Sequence, residues 1–261
     1  MRILVSNDDG IYAAGIRALV ESLVTEQEVY VIAPDRERSA AGHSLTLHTP
    51  LRAEEVDMDL KVARAWAITG TPGDCIKIGV NAILDFKPDL IISGINHGPN
   101  LGADVLYSGT VSAAMEGAVL NFPSIAISLA SNGKVANMDF KYSAEFIRKF
   151  IRRIPEIKFP KKTILNINVP AIDGNFITGI EMTKLGTRMY TDTYEKRIDP
   201  RGKVYYWLAG EMVTTDEEAG TDITAIRNNK ISITPVTFEM TNKNIIKELE
   251  KVFCEESCNW F

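Results

Sequence analysis

The chain is poor in cysteine. Three in 261 residues is an odd number and does not build a secreted disulfide framework. It also lacks an excess of positive charge: 29 Lys and Arg stand against 34 Asp and Glu, for a net charge of −5. A dedicated binder of nucleic-acid polymers is therefore not expected, although local groups can still hold a nucleotide-sized ligand. No apolar run reaches the length of a membrane span, and Met1-Arg2 leads into a strand-like segment rather than a signal sequence. No membrane association is expected, and the cytoplasm is the expected compartment. There is no glycine-rich dinucleotide fingerprint after the first strand-like segment and no Walker A sequence, which removes the dehydrogenase and P-loop readings. Internal repeats and low-complexity segments are missing too. What remains is an ordinary globular composition, 45% hydrophobic and 24% charged, for which one α/β domain with an elaboration fits better than two equal domains.

What is present starts with Ile3-Leu4-Val5-Ser6-Asn7-Asp8-Asp9-Gly10. Three apolar β-formers without polar alternation predict a strand buried on both faces, as in a parallel sheet. Two adjacent carboxylates follow. Neighbouring side chains on a strand point to opposite faces, so Asp8 and Asp9 converge only if the backbone bends, which Gly10 permits. Carboxylates about 4 Å apart repel by about 4 kcal/mol at an effective dielectric near 20, and a divalent cation removes that repulsion. Oxygen ligands suit magnesium or manganese. A solvated turn, or a helix N-terminus that favours acidic residues, accounts for the same pair without a metal.

Strand and helix patterns then alternate. A helical stripe (Ile16, Leu19, Val20, Leu23, Val24) precedes a second apolar run, residues 29–33. Residues 45–56, broken by Pro50, predict an edge hairpin. Residues 65–69 read as a strand and Gly70-Thr71-Pro72-Gly73-Asp74 as a helix start. Residues 89–94 form a third strong strand, and a helix follows Ser108-Gly109-Thr110. Residues 124–129, 142–153 and 163–169 continue as strand, helix and strand. This predicts a three-layer, doubly wound, mostly parallel Rossmann-like sheet over residues 1–170. Residues 171–261 are read as an oligomerisation elaboration of the same domain: a β-hairpin arm with its tip at Asp199-Pro200-Arg201-Gly202, a returning strand at 231–236, and a terminal amphipathic helix. Cys254 and Cys258 lack a second half-site and read as ordinary thiols.

Ligands of open α/β sheets gather at the carboxyl ends of the strands. Asp8 and Asp9 follow the first strand, Ser39 lies beyond the second, and Asn96 follows the third. Two carboxylates, a hydroxyl and an amide oxygen make a hard-cation set that leaves two octahedral positions for water or substrate. Ser39 also fits a turn or cap, and Asn96 an Asx-turn. Ser108, Gly109 and Thr110 open a helix whose free N–H groups and hydroxyls suit a phosphate; Thr110 as a plain N-cap is the competing explanation. His43 and His97 lie in rim loops, where either could donate a proton or orient phosphate oxygens, or simply be a satisfied loop residue.

Acidic pairs after a first strand also occur in receiver-type signalling modules and in haloacid-dehalogenase-type phosphatases. A receiver needs an acceptor Asp where this chain has Ser93-Gly94-Ile95-Asn96, and the phosphatase needs a second Asp two positions after the first, where Gly10 stands.

Five ordered segments resemble the SurE family, the survival-protein E nucleotidases. They are residues 6–11, Ala33-Pro34-Asp35-Arg36 through Ser44, Gly70-Thr71-Pro72 with Asp74-Cys75, Ser93-Gly94-Ile95-Asn96-His97-Gly98, and Tyr107-Ser108-Gly109-Thr110-Val111. Gly220-Thr221-Asp222 and residues 231–235 are similar to later blocks of that family. The resemblance implies a cytoplasmic, metal-dependent phosphomonoesterase. Its substrates would be nucleoside 5′- and 3′-monophosphates, and some members also shorten polyphosphate. It assigns one divalent cation per subunit, Mg2+ or Mn2+, to Asp8, Asp9, Ser39 and Asn96, and phosphate contacts to Ser108, Gly109 and Thr110. Catalytic roles would fall to Asp8, Asp9 and Asn96. The implied partners are small nucleotides and further copies of the chain, as a homodimer or homotetramer. Hydrolysis by a metal-activated water is the favoured route, with an aspartyl-phosphate on Asp8 or Asp9 as the alternative.

Overall fold

The computed structural model describes all residues except 132–138, 192, 211, 214–217 and 255–261. Cys258 lies outside the described residues. The strands are β1 (Arg2–Ser6), β2 (Glu28–Pro34), β3 (Ala53–Glu55), β4 (Arg64–Ile68), β5 (Leu90–His97), β6 (Ser124–Ala130), β7 (Thr163–Pro170), β8 (Gly179–Met182), β9 (Met189–Tyr190), β10 (Thr193–Ile198), β11 (Val204–Ala209), β12 (Met212–Val213) and β13 (Lys230–Thr237). The α-helices are α1 (Ala14–Leu23), α2 (Pro72–Ile78), α3 (Gly109–Val119), α4 (Lys141–Phe150), α5 (Asp222–Arg227) and α6 (Lys243–Cys254).

Nine strands form one sheet in the order β3-β4-β2-β1-β5-β6-β7-β13-β8. It is a three-layer, mostly parallel α/β sheet; only the β3–β4 and β13–β7 pairings are antiparallel. The apolar runs explain the layering. Ile3 and Val5 join α1 and α4 in one buried cluster, while Leu4 points to the opposite face with Ile76 and Ala113 of α2 and α3. A strand buried on both sides has no use for alternation, and β1 has none.

From β1 the chain winds outward through β2 to β4, then returns to place β5 on the other side of β1. The crevice between the carboxyl ends of β1 and β5 is therefore the point where the winding reverses, the usual ligand position of such sheets. Two helices that border it begin with strong local signals. Thr71 caps α2 in a reciprocal box with Asp74, with Pro72 in the first turn. Ser108 caps α3 by accepting from Val111 N at 3.1 Å.

The expected edge hairpin over 45–56 is shorter than its sequence suggests: only residues 53–55 pair, with β4. Residues 44–46 are bound instead to the α2 cap. Thr46 N donates to Asp74 at 3.0 Å, and Thr71 Oγ1 donates to Ser44 O at 2.7 Å. Beyond β7, β8 and β13 extend the main sheet, while β10 and β11 form a separate antiparallel hairpin. Its tip is closed by Asp199 N to Lys203 O at 2.9 Å. Tyr194, Tyr205, Tyr206, Trp207 and Leu208 on this arm are exposed, as are Ile245, Ile246, Leu249, Val252 and Phe253 on α6. Among the described residues no helix is long and apolar enough to cross a membrane.

Candidate active site

The backbone leaves β1 buried and turns at Gly10, whose φ of +99° a residue with a side chain rarely adopts. The turn presents Asp8, only 5% exposed, beside Asp9. Each is reached by a different loop. Thr110 donates its hydroxyl hydrogen to Asp8 Oδ1, and His97 N donates to Asp9 Oδ2 at 3.2 Å. Arg38 N donates to Asp8 O at 2.7 Å, which ties the loop bearing Ser39 to the same turn. The ends of β1, β2 and β5 and the start of α3 thus meet at two adjacent carboxylates.

The approach of α3 is close enough to dictate its first residue. A Cβ on Gly109 would sit 2.6 Å from Asp8 Cβ, so only glycine fits. Ser108, not Thr110, is the N-cap; Thr110 lies inside the first turn and its hydroxyl serves Asp8. Ser112 Oγ donates to Ser108 O at 2.6 Å, which tightens the same turn.

The electrostatics are those of a desolvated acidic pair. Burial pushes the Asp8 carboxyl up to about 6; the Thr110 hydroxyl opposes this and the Asp9 charge adds to it. Burial also raises Asp9, against the His97 N–H and imidazole, with Glu37 adding to the rise. A solvated turn would show neither shift. Buried polar atoms without a hydrogen-bond partner among the described residues lie at the same strand ends: Asn7 Oδ1, and the hydroxyls of Ser6 and Ser93, which are register partners across β1 and β5.

The remaining residues singled out in the sequence lie on the same rim with different engagements. Ser39 is exposed and donates to Glu37 Oε1 at 2.6 Å. Asn96 sits past a register shift between Ser93 and Asn96, and the preceding Gly94–Ile95 peptide is cis. Its amide nitrogen donates to Gly98 O at 3.0 Å, the reverse of an Asx-turn, in which the side-chain oxygen would accept, so the carbonyl oxygen is not used in this contact. His97 is exposed beside Asp9. His43 turns away toward α3, where its Nε2 lies 2.9 Å from Glu116 Oε2, and Lys77 Nζ donates to Glu116 Oε1 at 2.8 Å. Glu116 is buried and held below the usual carboxylate range, first by the His43 contact and then by Lys77.

Among the described residues no group of three His, Cys, Asp or Glu side chains is arranged to hold a metal ion. A cation here would need hydroxyl or amide oxygens beside the two carboxylates.

The family model described as "Survival protein SurE" matches residues 3–192. The chain belongs to the SurE family. It is 50% identical over 253 residues to "5'-nucleotidase SurE" of Pelotomaculum thermopropionicum, covering 97% of this chain and 95% of that one. A protein of the same description from Thermosynechococcus vestitus is 49% identical over 255 residues, covering 95% of each. The crystal structure of the SurE protein from Aquifex aeolicus aligns with a TM-score of 0.82 and 40% identity, over 97% of this chain and 99% of that one. SurE membership sets aside the receiver-type and haloacid-dehalogenase-type readings.

Sequence reasoning passed over several polar groups that shape this SurE site. Glu37 and Glu116 carried no motif of their own. Asn166 and Asn168 did leave a signal, two amides spaced by two within an otherwise apolar strand and hence on one buried face.

Proposed function

We propose that the chain hydrolyses nucleoside 5′- and 3′-monophosphates to nucleoside and phosphate with the help of one divalent cation, Mg2+ or Mn2+, per subunit. Its family membership makes it a phosphoric monoester hydrolase. Shortening of polyphosphate belongs to the same proposal, as does a cytoplasmic setting, with which a free, buried Cys75 is consistent. The observation that carries the reading is the convergence of Thr110, His97 N–H and the Arg38–Ser39 loop on Asp8 and Asp9 at the reversal point of the sheet.

The donor chemistry fits a hard cation: two desolvated carboxylates that repel each other, with Ser39 Oγ and Asn96 Oδ1 as neutral oxygens. When bound, the cation supplies Lewis acidity toward a phosphoryl oxygen and the attacking water. The chain's own residues supply the rest. Thr110 favours the ionised form of Asp8 and fixes its orientation. The start of α3, with no Cβ at Gly109, brings N–H groups and the helix dipole to the non-bridging oxygens. His97, beside Asp9, is placed to donate a proton or orient the phosphate. His43, bound to Glu116, is assigned to holding its loop. The exposed aromatic arm and the apolar stripe of α6 support a homodimer as the minimum unit, with a tetramer built from it.

Release of phosphate from AMP, measured before and after chelation and in Asp8→Asn and Asp9→Asn, tests the reading. Activity should need added Mg2+ or Mn2+ and fall at least about a thousandfold in each variant, the scale of losing transition-state charge stabilisation. Undiminished turnover after exhaustive chelation, or in Asp8→Asn, overturns it.

A further inference from the structure

One fully buried carboxylate has no part in the mechanism above. Asp222 opens α5 at 0% exposure and forms no ion pair among the described residues. Its two oxygens instead join separate parts of the chain. Oδ2 accepts from Gly102 N at 2.8 Å, and Oδ1 accepts from Gly186 N at 2.8 Å and Ile223 N at 2.9 Å. Gly102 begins the turn that runs into Ser108-Gly109-Thr110; Gly186 lies at the base of the arm, ahead of β9.

The two segments are in contact where Asp222 joins them. A Cβ on Gly102 would lie 2.5 Å from Gly186 O, and Gly102 takes a φ of +53°. Two residues on, Asp104 forms an ion pair with Arg188 of the same arm base. Asp104 O then accepts from Tyr107 N at 3.0 Å and Ser108 N at 3.1 Å, closing the turn that ends in the α3 cap. On the other flank β7 holds Asn100. Asn166 Nδ2 and Asn168 Nδ2 donate to Asn100 O at 2.9 and 3.0 Å, and Asn100 N donates to Asn168 Oδ1 at 2.9 Å. The stretch between β5 and α3 is thus fixed at three successive points, and the middle one is Asp222.

We propose that Asp222 is a positioning residue for phosphate handling: it sets where Ser108-Gly109-Thr110 stands relative to Asp8 and couples that position to the base of the arm. A carboxylate is needed because a backbone N–H converges on each oxygen. An amide in its place offers one acceptor and turns an N–H2 toward the other donor. The inference rests on the proposed reading of residues 108–110 as the phosphate site, and the experiment separates the two.

Affinities for inorganic phosphate at saturating Mn2+, and for Mn2+ alone, are measured by calorimetry on the wild-type chain, Asp222→Asn and Thr110→Ala. In Asp222→Asn phosphate affinity at saturating Mn2+ should fall about tenfold, with Mn2+ affinity reduced by less than in Thr110→Ala, because one hydrogen bond to the turn is lost while the Thr110 hydroxyl is still present to reach Asp8. A variant that melts at a lower temperature yet binds phosphate like the wild type overturns the inference, since a purely structural role predicts that result. If Thr110→Ala also binds phosphate normally, the phosphate reading itself fails and the inference with it. Hydrogen exchange on the wild-type chain gives an answer that no folding defect obscures. Saturating phosphate should slow the Gly102 and Gly186 amides together by about threefold or more, and unchanged exchange at both overturns the coupling.

Discussion

Thr110 donates its side-chain hydrogen bond to Oδ1 of Asp8, joining the first turn of α3 to the end of β1 across 102 positions of sequence. The pairing gives a hydroxyl that sequence alone would assign to a helix cap or a phosphate contact a third task, opposing the rise that burial imposes on the Asp8 carboxyl. Removing it should act first on the carboxylate.

Thr110→Ala is therefore expected to weaken Mn2+ binding by about ten- to a hundredfold at pH 6, the worth of a hydrogen bond to a charged group, with Thr110→Ser close to wild type. Calorimetric titration of the two variants checks this. Equal Mn2+ affinity in Thr110→Ala and the parent would show that the hydroxyl does not support Asp8.

Asp8 also makes the metal-free fold sensitive to pH. Its carboxyl is raised from an ordinary 3.8 to about 6, so the folded state holds the proton more tightly than the unfolded chain. The sign follows: this group's contribution to stability is greatest below pH 4 and is lost as pH rises through 6, a change of about 3 kcal/mol. Asp8→Asn cannot ionise and should gain that amount on the wild type between pH 4 and pH 7.5. Urea unfolding of both chelated proteins across that range measures it; parallel stability curves would contradict the shift.

His43 and Glu116 carry a prediction about a loop. Glu116 is 3% exposed and held below its ordinary value of 4.5 by His43 and then Lys77, so this tether is present above pH 4.5 and lost as pH falls below it. Glu116→Gln should speed proteolysis of residues 36–50 at neutral pH. His43→Gln should leave the alkaline limb of the kcat profile unchanged, whereas His97→Gln should move it if His97 handles the proton. An altered limb in His43→Gln alone would return the proton-transfer role to His43.

The arm bears on assembly. A two-stranded hairpin is marginal by itself in water, and Tyr194, Tyr206 and Trp207 are 65%, 59% and 60% exposed on β10 and β11. Deleting residues 190–208 and bridging the ends with a short glycine linker should lower the sedimentation coefficient to that of a monomer. A shortened chain that still sediments like the full-length protein would show that other surfaces hold the copies together.

Much of the architecture could be read from local pattern, because burial imposes its periodicity on the chain. Ile3-Leu4-Val5 are apolar on both sides because both sides are covered, and Ile16, Leu19, Val20 and Leu23 recur at helical spacing because one face of α1 is covered. Residues 45–50 misled the same reasoning. Their β-like composition lost to the α2 cap, where Asp74 captured Thr46 N, and a competitor 28 positions away leaves no local trace. The acidic pair stood out in the sequence, but two adjacent carboxylates and a glycine are also common in solvated turns, and only the packed structure shows that Asp8 is buried.

What each polar side chain does was decided only by folding. Nothing within a few residues of Thr110 says that its hydroxyl meets Asp8, nothing near His43 names Glu116, and nothing around Asp222 names Gly102 or Gly186. The physical reason is range. Hydrophobic periodicity records an environment that every turn of a helix or step of a strand samples, so it is written locally. A hydrogen bond depends on a few tenths of an ångström between atoms that the chain brings together from 36 to 120 positions apart, and only the packed sheet sets that distance.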